Sequence, residues 1–224
     1  GAIANISAGA SGFGSGPTWN GLSINREVLI TNGNYVCTTG ELDLDGENST
    51  YLIFNGVVSN GTGCSGAVVI PEGVVSIGVN AFDSNSSITR VTIPASVTSL
   101  ADYAFYATPA LSEINFVGNA PDSVGVEVFY AVPIGAKAYI KASATGFGNE
   151  STWNGLTIRR DFSNYTGSIK CETGVPLAVD DTSPAYTINN GVATSGSGCV
   201  GAVVIPDGVI SIGTYAFNDA TSLT

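Results

Sequence analysis

The chain has 224 residues, 44% hydrophobic and only 11% charged, with 18 acids against 7 bases and a formal net charge of −11. That apolar content supports a packed core and excludes a disordered polyampholyte; the acidic balance leaves no basic patch for phosphates, so nucleic acid is not expected as a partner. No apolar run approaches the eighteen or so residues needed to span a bilayer, so no membrane insertion is expected in this segment, and with no His a Ser-His-Asp or Cys-His site cannot be built.

In chain order, the stretch after Ile6 is rich in Gly, Ala, Ser and Thr and reads as a connection. Trp19-Asn20-Gly21-Leu22 follows, a Trp with a tight Asn-Gly turn, read as an anchor at a module junction rather than a sugar-stacking platform. Between Cys37 and Cys64, Tyr51-Leu52-Ile53-Phe54-Asn55-Gly56-Val57-Val58 predicts a β-hairpin, because Asn-Gly between apolar runs favours a two-residue turn. Glu41-Leu42-Asp43-Leu44-Asp45-Gly46 resembles the first half of a calcium loop, with oxygens at alternate positions and Gly at the sixth. Position twelve is Leu52 instead of Glu, and a second copy of the segment carries Val175, Leu177 and Val179. Glu41, Asp43 and Asp45 therefore read as a solvated acidic loop, with a weak calcium site as the alternative, and no cofactor is expected.

From Gly66 onward a short period appears. Ile70-Pro71, Ile93-Pro94 and Phe116-Val117 are spaced by 23, as are Ala81-Phe82 and Ala104-Phe105, and Phe129 and Ile140 continue the series at 24. Val68, Val91 and Ile114 stand two residues before the first set, which is strand alternation. Pro71 and Pro94 lack an N–H and end the strand. Phe82 and Phe105 are expected to fill the interior from the opposite wall. Such a period indicates a solenoid whose turns bury apolar positions against their neighbours.

A longer period overlays it. Trp19-Asn20-Gly21-Leu22 recurs as Trp153-Asn154-Gly155-Leu156 and Cys37 as Cys171, 134 residues on; Cys64 recurs as Cys199 and Gly66–Pro71 as Gly201–Pro206 after one insertion. The predicted division is 1–30, the end of a preceding module; 31–164, a complete module; and 165–224, the start of the next. Both ends fall inside a unit and no Met is present, so an excerpt of a longer array is expected, or else a subunit with open ends. The repeat selects local bridges, Cys37 with Cys64 and Cys171 with Cys199, from the three connectivities four cysteines allow. Each would stabilise by about 3–4 kcal/mol, and disulfides imply an oxidising compartment, hence export.

The pattern V-x-I-P-x-x-V-x-S-I-x-x-x-A-F, seen at Val68–Phe82, Val91–Phe105 and Val203–Phe217, resembles the BspA-like branch of the leucine-rich repeat family. The resemblance covers about Gly66–Ile140 and Gly201–Thr224, with Ile and Val in place of most Leu and no Asn ladder. It implies a mainly β, right-handed solenoid with short parallel strands on one face and loops or short helical turns opposite. Disulfide-tied hairpins would cap it. It also implies an extracellular, surface-attached protein.

Outward positions on the sheet face are Arg90, Thr92, Glu113, Asn115, Lys137 and Tyr139, which form the candidate contact strip. Asp122, Glu127, Asp180 and Asp181 show no repeated pairing of the kind glycoside hydrolysis needs, so no enzyme is expected. N-x-[ST] sequons at Asn5, Asn48, Asn60, Asn85, Asn149 and Asn164 are expected at the surface in a glycosylating host. The functional expectation is adhesion or binding of a protein or glycan at a cell surface; the alternative is head-to-tail self-association into an extracellular filament, sheath or surface layer.

Overall fold

The computed structural model describes residues 3–7, 18–20, 22–27, 30–148, 150–163, 165–174, 176, 182–206 and 208–224. The side chains of Asn5 and Trp19, and residues Asn149, Asn164, Val175, Leu177, Val179, Asp180 and Asp181, lie outside what is described. Every regular element among the described residues is a strand. The strands are β1 (Ile3–Ser7), β2 (Thr18–Trp19), β3 (Leu22–Glu27), β4 (Gly33–Val36), β5 (Thr50–Phe54), β6 (Val57–Ser59), β7 (Gly66–Val69), β8 (Ser76–Ile77), β9 (Ile88–Ile93) and β10 (Ser99–Leu100). They continue as β11 (Glu113–Phe116), β12 (Ser123–Val124), β13 (Lys137–Lys141), β14 (Thr152–Trp153), β15 (Leu156–Asp161), β16 (Thr166–Lys170), β17 (Ala185–Asn189), β18 (Val192–Ser195) and β19 (Ser211–Ile212). Two compact units result: Gly1–Ala110 with Pro121–Val132, and Leu111–Ala120 with Pro133–Thr224.

The first unit is a β-solenoid with two parallel ladders. One pairs β7 with β9, setting Val68 beside Val91 and Val69 beside Thr92. The other runs β6, β8, β10, β12, with Ser76 beside Ser99 and Ser99 beside Ser123. The S-I dipeptides of the repeat thus form a second sheet. Of the loops or helical turns expected opposite the first sheet, the structure forms turns.

The core follows the predicted alternation. Val68, Ile70, Val91 and Ile93 are buried, as is the row Ile77 and Leu100 from the second ladder. Phe82, Phe105 and Phe129 close the third wall as a parallel stack, with centroids 5.1 and 5.6 Å apart. Ala81 and Ala104 beside them are fully buried. This wall has its own ladder of amides: Asn80, Phe82 and Ser84 donate to the carbonyls of Asp102, Ala104 and Tyr106. Tyr103, Phe105 and Ala107 donate in turn to Val126, Val128 and Tyr130. The wall needs left-handed backbone at Asn80, Tyr103 and Glu127 and again at Ser84, Ala107 and Ala131, an unusual conformation for residues with a Cβ.

At one end of the second ladder, β4, β5 and β6 form an antiparallel meander, with Phe54 opposite Val57. Asn55 and Gly56 both take positive φ, as a type I′ turn requires. The disulfide Cys37–Cys64 ties this cap. Asn85 completes the tie from the next turn. Its side-chain amide donates to the carbonyls of Gly61, Thr62 and Cys64, while its oxygen accepts from the amides of Ser87 and Ile88. Asn85 is buried, so the surface expected for its sequon is corrected; Asn48 and Asn60 are exposed.

The second unit repeats these devices. β11, β13 and β15 run parallel, and β14 turns back on β15 through Asn154 and Gly155, both at positive φ. Ile114, Phe116, Ala138 and Ile140 point inward and are buried. Trp153 packs edge-on against Phe116 and Phe147, at 5.4 and 5.0 Å. β16, β17 and β18 form a second cap, tied by Cys171–Cys199. The 134-residue repeat holds to the level of register: β1 meets β3 with Ile3 beside Ser23, and β13 meets β15 with Lys137 beside Thr157.

Candidate binding faces

Because every second residue of a strand faces out, the register fixes which side chains share a face. In the first unit Arg90 stands beside Ala67 and Thr92 beside Val69, with Arg90 exposed and Thr92 half-buried. In the second unit Glu113 lies beside Lys137, and Asn115 beside Tyr139. Glu113 and Lys137 are half-buried, Asn115 and Tyr139 exposed. All six predicted positions therefore lie on outward rows, two in one unit and four in the other.

The same register brings in residues that sequence reasoning did not single out. Arg159 stands beside Tyr139, and Lys141 beside Asp161. The period-2 reading, carried two residues past Thr157, finds Arg159. Lys137, Lys141, Arg159, Arg160 and Lys170 make up five of the chain's seven basic residues, and only Glu150 and Asp161 oppose them between 137 and 170. This stretch is thus net +3 in a chain of −11.

Beside β15, still within the second unit, lies a cleft of about 460 Å³. Glu150, Ser151, Ile158, Arg159 and Arg160 line one side, and Thr173, Gly174 and Val204–Pro206 the other. Ser151 is held to the strand through its carbonyl, which accepts from the Ile158 amide at 2.8 Å. Arg160 is half-buried; its guanidinium donates to the carbonyls of Ala144 (3.3 Å) and Gly148 (2.7 Å). Burial lowers its pKa, but guanidinium pKa values start above 12, so the charge stays.

A second missed feature is the tyrosine group on the outer side of the aromatic wall in the first unit. Tyr106 and Tyr130 stack at 5.3 Å, and Tyr103 meets Tyr106 edge-on. Tyr103 and Tyr130 are exposed. The signal was the residues that flank Ala104-Phe105 and the one that follows Phe129, which the inward pattern passes over.

The acidic loop brings two of its carboxylates, Asp43 and Asp45, to one point, the Asn48 side-chain amide. Asp43 accepts from the Gly46 amide and the Asn48 side chain, and Asp45 from the Glu47 amide and the same Asn48 side chain. The Asn48 bond is the leading cause of the lowered Asp43 pKa. Among the described residues no three Cys, Asp or Glu stand at metal-ligand spacing. Asp122 and Glu127 are exposed on the solenoid surface.

Parallel ladders, inward aliphatic rows and an aromatic wall define a leucine-rich-repeat type of solenoid. A model of the BspA-type leucine-rich repeat region matches residues 61–157 and 193–224 in six copies. The chain belongs to that family, whose members are surface-associated, generally non-catalytic binding repeats. The match extends the sequence resemblance back to Gly61 and on through the Trp153 turn. No curated protein and no solved structure matches the chain significantly.

Proposed function

We propose that the chain is an extracellular, non-catalytic binding protein that engages a protein or glycan at a cell surface through its outward sheet rows. Arg90 and Thr92 serve in the first unit, and Glu113, Asn115, Lys137 and Tyr139 in the second. The observation that carries this reading is the division of labour along each strand. Inward rows are aliphatic and buried, whereas outward rows mix charge, amide, hydroxyl and an exposed aromatic ring. Such mixed faces with an aromatic anchor are what interfaces favour. Modules divided as 1–30, 31–164 and 165–224 would repeat the face and add avidity. Two disulfides fit the oxidising compartment this requires. The test is binding of the chain to arrays of extracellular-matrix proteins and surface glycans. The Asn115→Ala/Tyr139→Ala variant is expected to lose about tenfold or more in affinity for a captured ligand, since one hot-spot aromatic is worth that much. Unchanged binding would remove the face from the proposal.

A further inference from the structure

We infer that the tyrosine-bearing outer side of the aromatic wall in the first unit docks an arginine-bearing protein segment, on a surface separate from the outward sheet rows. The amide ladder of this wall fixes which residues share a row. Asp83, Tyr106 and Tyr130 hold one position on consecutive turns, and Asn80, Tyr103 and Glu127 hold the position three residues before it. Phe82, Phe105 and Phe129 point inward and are buried, whereas Tyr130 is 56% exposed and Tyr103 37%. Tyr106 stacks on Tyr130 and meets Tyr103 edge-on, so the three rings form one surface cluster.

The turn does not need these rings. Asn80 and Asp83 stand at the same positions one turn earlier, and the left-handed backbone suits Asn80 (φ 55°) better than it suits Tyr103 (φ 60°). At Tyr103 the fold accepts an unfavourable backbone and leaves the ring at the surface. Such a cost points to a use outside the fold, and clustered surface tyrosines are what protein interfaces favour.

Charge names the partner. Over 31–110 and 121–132 the chain has nine acids and one base, Arg90, and Arg90 lies in β9 on the first sheet. Asp83 and Glu127 stand in the tyrosine rows themselves. Asp102, exposed and next to Tyr103, accepts from the Val126 amide at 2.8 Å and braces adjacent turns beneath the rings. Rings with carboxylates beside them repel an acidic partner and attract a cation. A guanidinium fits both groups, because its plane stacks on an aromatic face and its N–H fork meets a carboxylate. An ammonium is more strongly hydrated and has no plane to stack. The partner is therefore a protein segment that presents arginine.

The test is an NMR titration of the disulfide-intact chain with a dodecapeptide of alternating Arg and Gly, and with the same peptide carrying citrulline, the neutral isostere. The arginine peptide is expected to shift the amides of 83, 102–107 and 126–131, and the citrulline peptide to bind about tenfold more weakly or worse. Tyr130→Leu keeps apolar bulk and is expected to weaken arginine-peptide binding about three- to tenfold, while Tyr130→Phe retains most of it. Glu127→Gln is expected to weaken it about twofold, and Glu47→Gln, in the acidic loop, to leave it unchanged. Circular dichroism checks that each variant is folded; the shift map and the citrulline comparison use the native chain and need no variant. Shifts centred on 41–48, equal binding of the two peptides, equal losses in Glu47→Gln and Glu127→Gln, or native affinity in Tyr130→Leu would each overturn the inference. So would self-association of the native chain that Tyr130→Leu abolishes, since the occupant would then be a second copy. The sheet-row reading has its own variant, Asn115→Ala/Tyr139→Ala, and does not depend on this result.

Discussion

Asn85 donates to three carbonyls of the segment that carries Cys64 and accepts two amides of its own turn, all from a buried position. Removing it leaves buried carbonyls unsatisfied, so Asn85→Ala is expected to cost about 2–3 kcal/mol in urea unfolding. In a glycosylating host, peptide mass spectrometry is expected to find glycan at Asn48 or Asn60 and none at Asn85. In the second copy Ala220 holds the equivalent position, so that cap lacks the tie. The buried tyrosines give a second expectation. Tyr51 donates to the Val69 carbonyl and Tyr186 to the Val204 carbonyl, and burial raises both pKa values, with Tyr35 adding to the shift at Tyr51. An unfolded tyrosine releases its proton near pH 10, while the folded one retains it. Above about pH 10 the unfolded state therefore binds fewer protons and stability falls as pH rises. Below that pH the contribution is complete. The denaturant midpoint is expected to drop beyond about pH 10, and less steeply in Tyr51→Phe.

At the scale of elements, the turn is a triangle with a different device on each side. The first sheet ends at prolines, the second is made of two-residue strands, and the aromatic wall is held by amides across left-handed residues. Phe105 sits between Phe82 and Phe129 in that wall and is fully buried. Phe105→Ala is expected to cost about 3–5 kcal/mol in equilibrium unfolding; a cost below about 1 kcal/mol would mean that the stack adds little beyond filling space. Gly61 shows how local the fit is, since a Cβ there would run into the Phe82 ring, as one at Gly196 would into Phe217. Period and alternation made Val68, Ile70, Phe82 and the hairpin turns at Asn55-Gly56 and Asn190-Gly191 legible from the sequence. The second ladder was not legible, because Ser76-Ile77 is too short to show alternation. Asn85 was not either: its sequon reads as surface until the three carbonyls around it are seen. The face at Asn115 and Tyr139 followed from alternation alone. Arg160 did not, because its place depends on the carbonyls of Ala144 and Gly148, which belong to an irregular loop.

For the whole molecule, the repeat does two kinds of work. It stacks turns into a core, and it presents the same outward position with different side chains, Thr92 in one turn, Asn115 in the next and Tyr139 in the one after. Variation at fixed outward positions over an invariant core suits a binding scaffold. An assembling subunit would instead repeat one heterologous contact from copy to copy. Electron microscopy of the purified chain at high concentration, with no partner added, separates the two most directly. A discrete binding protein is expected to give single particles with no regular contacts between them. Regular filaments or sheets would contradict it.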